Sequence, residues 1–147
     1  MPNPEQPDPD AKHRVIPSTS PEATAVLNLI MADVEAADYP KDAAFAIRLA
    51  LDEALANAVR HGNAGDPSKT VTIDWSVTPQ LTTISIEDQG PGFIPDDLPD
   101  PTLDENLTRP SGRGVMLMRA YMDEVTFNPS GNRVTLKRRR DPSPANT

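Results

Sequence analysis

The sequence predicts an α/β domain built as a two-layer sandwich, with a mixed β-sheet covered by helices on one face. Three observations indicate this fold class. Apolar residues recur at helical spacing in the first half of the chain, and a third helix with the apolar residues 115–118 starts near Gly112. Alternating apolar and polar residues mark strands after the second helix. The resulting order, β-α-α-β-β-loop-α-β-β, lacks the strict βαβ alternation of a parallel sheet.

The first two elements are a short strand at 13–17 and a helix that ends near Ala37. Ser20 is predicted to cap this helix, and Pro21 suits its first helical position. Four apolar residues follow at helical spacing: Val26, Leu27, Ile30 and Val34.

A second helix is predicted over 41–60, because Pro40 breaks the chain before it and Gly62, a residue type favoured just beyond helix ends, follows it. Its buried stripe is expected to contain Ile47, Leu51, Ala54, Leu55 and Ala58.

Two strands are predicted next, at 70–77 and 81–88, because apolar and polar residues alternate in them. In the second strand, Ile84 and Ile86 are expected to face inward. The inward face of the first strand is predicted to be Val71, Ile73, Trp75 and Val77.

A Pro-rich loop over 90–111 separates these strands from a third helix, which begins near Gly112. Loops of this length inside a compact domain are typically functional lids or disordered segments, and we expect a lid at about 94–110. Two short strands, 124–127 and 133–138, close the domain around a turn.

The chain has 147 residues, of which 37 % are hydrophobic and 4 % are aromatic, so one domain with a modest aliphatic core is expected. We place this domain at 12–138. The Pro-rich residues 1–11 and the polar tail 139–147 are expected to be disordered.

The charge balance and composition argue against several classes of protein. A net charge of −8 disfavours direct nucleic-acid binding, which needs a basic surface. No apolar run approaches the roughly 18 residues of a membrane span, and no signal peptide is visible. The absence of cysteine excludes disulfides and thiolate metal sites. We therefore expect a cytoplasmic protein with neither a membrane nor a nucleic acid as its partner.

Three motifs carry candidate chemistry, and the first lies on the second helix. Glu53, Asn57 and His61 recur at every fourth position, so they share one polar stripe beside the apolar one. A solvated helix edge would have the same pattern.

The second motif follows the second strand. Asp88 is in phase with Ile84 and Ile86, so its carboxylate should point toward the core, where it needs a partner. Gly90 and Gly92 come directly after it and allow a ligand to approach the backbone closely. An ordinary turn at a strand end would have the same composition.

The third motif, Gly112-Arg113-Gly114, opens the third helix. Free amides and the positive end of the helix dipole attract phosphate there, and an arginine adds a fork of donors. A flexible helix entry would look the same.

Together and in this order, the three motifs resemble the nucleotide site of the GHKL superfamily, which includes gyrase, histidine kinases, a heat-shock chaperone ATPase and a mismatch-repair ATPase. Residues 51–63, LDEALANAVRHGN, are similar to the N box of bacterial anti-sigma-factor serine-protein kinases, which are partner-switching regulators. Residues 111–118, SGRGVMLM, and 121–125, YMDEV, fit the same branch. The resemblance covers about residues 13–138 and implies the histidine-kinase-like ATPase fold.

The resemblance implies a role for each motif residue. Glu53 occupies the position of the general base, Asn57 that of the Mg²⁺ ligand, and Asp88 that of the acceptor for the adenine amino group. Gly90 and Gly92 match the glycines that make room for the base and the sugar.

The resemblance also implies the phosphate contacts. Gly112, Arg113 and Gly114, followed by Val115, match the box that wraps the phosphates. His61 either contacts the phosphates or interacts with the helix dipole as an ordinary terminal residue.

Two departures from the family pattern stand out. Gly131 is followed by Asn132, where many superfamily members have a threonine that supports the adenine-binding aspartate; asparagine can also donate and accept. The branch often has an arginine directly before its Ser-Gly, but here Arg109 precedes Pro110. Either Arg109 or Arg113 is therefore expected to contact the γ-phosphate.

The activity implied by the resemblance is transfer of the γ-phosphate of ATP, with Mg²⁺, to a serine or threonine of a STAS-type antagonist protein. The same protein would sequester a sigma factor or a similar regulator, and homodimers are expected of the family. The alternative is a nucleotide-dependent protein-binding module with little or no kinase activity.

Overall fold

A computed structural model gives the fold and describes residues 11–92 and 112–141. The elements are β1 (Lys12–Pro17), α1 (Ser20–Ala36), α2 (Lys41–Ala56), a π-helical segment (Asn57–Gly62), β2 (Thr70–Val77), β3 (Leu81–Glu87), α3 (Gly112–Tyr121), β4 (Glu124–Phe127) and β5 (Arg133–Arg139). The predicted two-layer α/β sandwich is confirmed. The expected lid at 94–110, and most of the two termini expected to be disordered, lie outside the described residues.

The five strands form one sheet in the order β1-β2-β3-β5-β4, and every neighbouring pair is antiparallel. The prediction of a mixed sheet is therefore wrong. Two helices between β1 and β2 return the chain in the opposite direction, which makes this pair antiparallel. The single helix between β3 and β4 makes those two strands run the same way, but β5 lies between them, so no parallel neighbours arise.

The core lies between the helices and one face of the sheet. The apolar stripes predicted for the two long helices are buried, and Val71, Ile73 and Trp75 of β2 meet them from the sheet. Full burial of one large aliphatic side chain contributes roughly 1.5–3 kcal/mol, so these stripes anchor both helices. The opposite face of the sheet carries polar pairs such as Ser85 and Thr135, whose hydroxyl oxygens are 2.9 Å apart.

The start of α1 differs from the prediction. Thr19 is the N-cap residue, in an extended conformation, and no side-chain hydrogen bond caps the helix. The predicted cap at Ser20 is therefore wrong, because Ser20 is already the first helical residue, followed by Pro21. The missing N–H of proline leaves one donor fewer to satisfy in this first turn.

Asp33 joins α1 to β1, which is an edge strand of the sheet, and to the neighbouring strand β2. Its carboxylate accepts hydrogen bonds from Lys12 Nζ at 2.8 Å and from Trp75 Nε1 at 2.9 Å.

No helix in the described ranges combines the length and the apolar character needed to cross a bilayer.

Candidate nucleotide-binding site

The polar stripe of α2 runs into a π-helical turn. Glu53 lies in the last turn of α2 and Asn57 begins Asn57–Gly62, which we call the π segment. Turns of this wider kind occur often at functional sites. The prediction of one α-helix over 41–60 is therefore wrong at its end. A π-helical turn rotates the chain by a different angle per residue than an α-helical turn does. His61 therefore does not continue the line of Glu53 and Asn57 as it would on a regular α-helix.

Two buried polar atoms on this stretch have no hydrogen-bond partner within the described part of the chain. They are Nδ2 of Asn57 and Nδ1 of His61. A polar atom buried without a partner costs about 1–3 kcal/mol. Both atoms therefore mark positions where a ligand atom would be favourable.

Asp88 follows β3, and its carboxylate lies against the end of the π segment. A Cβ atom added to Gly62 would overlap the carboxylate of Asp88, and a Cβ atom added to Gly90 would overlap the carbonyl oxygen of Gly62. The structure thus brings Asp88, Gly62 and Gly90 together. Only glycine fits at positions 62 and 90 in this arrangement.

The electrostatics of Asp88 follow from its surroundings. Burial raises the pKa of the Asp88 carboxyl above its ordinary value, and the adjacent Glu87 acts in the same direction. The Gly90 N–H, which donates to Oδ1 at 2.8 Å, and the charge of Lys69 oppose this rise. A carboxylate has about four acceptor positions, so Asp88 can accept further hydrogen bonds from a ligand.

The main chain of Asp88 is held by the turn before β5. Its N–H donates to the Asn132 carbonyl at 2.9 Å, and Asn132 Nδ2 donates to the Asp88 carbonyl at 3.2 Å. Asn132 therefore supports the backbone of Asp88 and not its carboxylate. Gly92, with φ of +79°, lies against the same turn, where a Cβ atom would overlap the Ser130 carbonyl oxygen.

The first turn of α3 meets the polar stripe of α2. A Cβ atom at Gly114 would lie 3.0 Å from Glu53 Oε2 and 3.5 Å from Asn57 Nδ2. At the other end of α3, the ring of Tyr121 makes an edge-to-face contact with Phe45, at 6.2 Å between ring centroids. The two helices therefore run antiparallel, and the N-terminus of α3 lies at the carboxylate and the amide.

The remaining predicted site residues belong to the same region or fall outside the described residues. Gly112 and Arg113 lie in the first turn of α3. Val115 is buried, so its side chain belongs to the interior. Arg109 and the side chain of Arg113 lie outside the described residues, so both alternatives for the γ-phosphate contact stay predictions.

A family model for the histidine kinase-like ATPase domain matches residues 17–138. The chain belongs to this family. A solved structure of the RsbU and RsbW domains of Rv1364c from Mycobacterium tuberculosis has the same fold, with a TM-score of 0.61 at 18 % identity. That likeness covers 93 % of this chain and 34 % of the other.

Proteins that are similar to this chain include two named anti-sigma F factor. The one from Clostridium perfringens strain SM101 is 34 % identical over 92 residues, which are 60 % of this chain and 65 % of the relative. The one from Geobacillus stearothermophilus is 32 % identical over 110 residues, which are 72 % of this chain and 74 % of the relative. The matched part thus spans about two thirds to three quarters of these relatives.

Sequence reasoning missed one part of the site in this ATPase domain. Gly62 was assigned only to a helix end, yet it forms the wall against which Asp88 and Gly90 pack. The available signal was its place directly after His61, at the end of the polar stripe. The local pattern around position 62 does not indicate a contact with Asp88, because two whole strands separate these residues along the chain.

Proposed function

We propose that this protein is an anti-sigma regulatory factor with serine/threonine-protein kinase activity, which transfers the γ-phosphate of ATP to a STAS-type antagonist protein. The contact of Gly114 with Glu53 and Asn57 carries the proposal, because it puts a carboxylate and an amide beside a helix N-terminus suited to phosphate. Membership of the histidine kinase-like ATPase family and the similarity to anti-sigma F factors support it.

The adenine base would lie between Asp88, Gly62 and Gly90. The half-buried Asp88 carboxylate has one backbone donor in the described residues, the Gly90 N–H, so a further donor there is favourable. The amino group of adenine is such a donor. Gly62 and Gly90 let a planar base approach the backbone closely.

The triphosphate would extend from there toward the first turn of α3. The free amides of residues 112–114 and the positive end of the dipole attract phosphate oxygens. Glu53 lies at the α3 end of the site and Gly62 at the Asp88 end, and the last turn of α2 and the π segment connect them. Arg109 or Arg113 would add a guanidinium group at the γ-phosphate.

Asn57 is the proposed protein ligand of Mg²⁺. Its amide has one buried, unpartnered atom, Nδ2, and a half-turn of the amide exchanges nitrogen and oxygen at that place. Mg²⁺ takes hard oxygen ligands and keeps several waters, so one amide oxygen together with phosphate oxygens suits it. When bound, the ion would neutralise charge on the phosphates.

Glu53 is the proposed general base. The hydroxyl oxygen of the acceptor serine forms a bond to the γ-phosphorus while the bond from that phosphorus to the β–γ bridging oxygen breaks. ADP leaves with the electron pair of the broken bond, and the hydroxyl proton passes to the Glu53 carboxylate. The packing of Glu53 on Gly114 favours this role, because it keeps the carboxylate at the phosphate end of the site.

The partners follow from the same assignment. We propose that the protein binds a sigma factor or a similar regulator, releases it in exchange for the antagonist, and acts as a homodimer in the cytoplasm. The anti-sigma names of the two relatives support the first of these proposals.

Incubation of the purified chain with γ-labelled ATP, Mg²⁺ and candidate STAS-type proteins tests the proposal. We expect label on a serine or threonine of one candidate, and loss of labelling with Glu53→Gln. If ATP binds and changes partner binding while no candidate is labelled, the protein is instead a nucleotide-dependent binding module. Absence of ATP binding would contradict both functions.

A further inference from the structure

Asn63 is a buried polar residue that the proposed chemistry does not use. It directly follows the π segment and is 0 % exposed. Its amide nitrogen donates to Ser18 Oγ at 3.2 Å and to the Thr70 carbonyl at 2.9 Å, and its amide oxygen accepts from the Gln89 N–H at 2.8 Å. Each bond reaches a different segment, so one side chain joins the end of the π segment to β2, to the turn before α1 and to the loop after β3.

The bond to Gln89 completes the hydrogen bonding of the loop that carries Asp88. The backbone of Asp88 is bonded to Asn132 on the β5 side, and the Gly90 N–H donates to the Asp88 carboxylate. The Gln89 N–H lies between these groups along the chain, and Asn63 is its acceptor. The loop is therefore held from both sides, by the turn before β5 and by the residue that follows the π segment.

We propose that Asn63 is a positioning residue for the adenine end of the nucleotide site. Gly62 and Asn63 are consecutive, so the hydrogen bond that the Gln89 N–H donates to Asn63 sets the separation between Gly62 and the carboxylate of Asp88. That separation decides whether the amino group at C6 of adenine, where guanine has a carbonyl, meets the carboxylate at hydrogen-bond distance. The inference rests on the proposed function, in which Asp88 accepts the amino group of adenine.

A purely structural role for Asn63 makes a different prediction. In that case, loss of the buried amide would only lower the fraction of protein that is folded. The apparent affinity for every nucleotide would then fall by the same factor. A positioning role changes the ratio of the ATP and GTP affinities. A displaced Asp88 carboxylate loses its contact with adenine, while the phosphate contacts that ATP and GTP share remain.

Asn63→Ala removes the acceptor of the Gln89 N–H and tests the inference. Calorimetric titration of the folded variant with Mg²⁺ and either ATP or GTP is expected to give an ATP-to-GTP affinity ratio about tenfold below that of the wild type. The Gln89 amide is expected to exchange its hydrogen faster. Ser18→Ala is the matched control, because it removes a partner of the Asn63 amide nitrogen and leaves the hydrogen bond from the Gln89 N–H to the amide oxygen in place. Its affinity ratio should stay within about twofold of the wild type.

Gln89→Pro provides a second test that leaves the buried Asn63 in place. Gln89→Ala is its control, because it removes only the side-chain oxygen that accepts a hydrogen bond from the Thr70 N–H at 2.8 Å; its ratio should stay within about twofold of the wild type. Gln89→Pro removes that oxygen and the donated N–H as well, at an exposed position. For Gln89→Pro the same fall of about tenfold in the affinity ratio is expected. A wild-type ratio in folded Asn63→Ala or folded Gln89→Pro overturns the inference and leaves the proposed function standing. Failure of the wild-type chain to bind ATP overturns the proposed function, and this inference with it.

Discussion

The carboxylate of Asp88 lies against the α-carbon of Gly62, so the end of β3 touches the end of the π segment. Any side chain at position 62 would occupy the space of the carboxylate. The contact closes one end of the candidate site, and the packing of Gly114 on Glu53 and Asn57 closes the other. Both ends depend on glycine, because backbone and functional side chains meet without a Cβ atom between them.

Gly62→Ala should displace the Asp88 carboxylate. We expect ATP affinity to fall at least about tenfold, and stability to fall by about 1–3 kcal/mol because the added methyl group overpacks the contact. Calorimetry and urea unfolding measure the two effects. Gly65→Ala is the control, since no atom lies within 4 Å of its Cβ position but its φ is +71°. It should lose about 1 kcal/mol to backbone strain and bind ATP normally.

Glu53→Gln should separate chemistry from binding. It removes the proton acceptor with almost no change in volume, so the phosphorylation rate should fall by about 10²–10⁴. ATP affinity should change little, because Asn57 and Asp88 are intact. Single-turnover assays with labelled ATP give the rate, and Asp52→Asn, at the exposed neighbouring position, should leave it unchanged. Phosphorylation by Glu53→Gln at the wild-type rate would remove Glu53 from the mechanism.

Asn57→Ala should have the opposite profile. Loss of the proposed Mg²⁺ ligand should weaken ATP binding in the presence of Mg²⁺ by about ten- to a hundredfold. With the metal removed by a chelator, the variant and the wild type should bind ATP with similar affinity. Titrations with and without Mg²⁺ provide the measurement. An equal loss under both conditions would mean that Asn57 acts on the nucleotide itself and not through the metal.

Asp88→Asn should stabilise the free protein while it weakens nucleotide binding. Burial raises the pKa of Asp88, so its contribution to stability is fully present below its unfolded-state pKa and is lost as the pH rises through the folded-state pKa. The variant should therefore unfold at a higher temperature than the wild type at pH 7, and this gain should shrink in acid. ATP affinity should fall about ten- to a hundredfold, with weaker selection against GTP. Unchanged affinity in calorimetry would place Asp88 outside the site.

Asp33→Asn should reduce stability in a pH-dependent way. Burial acts most strongly on the pKa of Asp33 and would raise it, but the hydrogen bonds from Lys12 and Trp75, with the charge of Lys12, outweigh burial and lower the pKa. The contribution of Asp33 is therefore present above its unfolded-state pKa and is lost as the pH falls through the lowered value. Urea unfolding should show a loss of about 1 kcal/mol at pH 7 that disappears in strong acid. Glu35→Gln, exposed on the same helix, should show no such loss.

Regular elements were predicted well because their signals are local. The bounds of β2 and β4 are those that the alternation of side chains predicts, and the apolar stripes of α1 and α2 are buried as expected. The π segment was not predicted, because its residues favour a helix whether hydrogen bonds span four positions or five. The direction of neighbouring strands was also missed, since it depends on how connections cross the sheet.

Periodicity and turn composition act over a few neighbouring residues, so the amino-acid sequence alone indicates which side chains face the core and which three motifs carry polar chemistry. The contact of Gly62 with Asp88, and that of Gly114 with Glu53 and Asn57, become visible only in the folded protein. These contacts join segments that are distant along the chain. Their geometry is set by how closely α2 packs against α3 and against the end of β3, and no local pattern contains that distance.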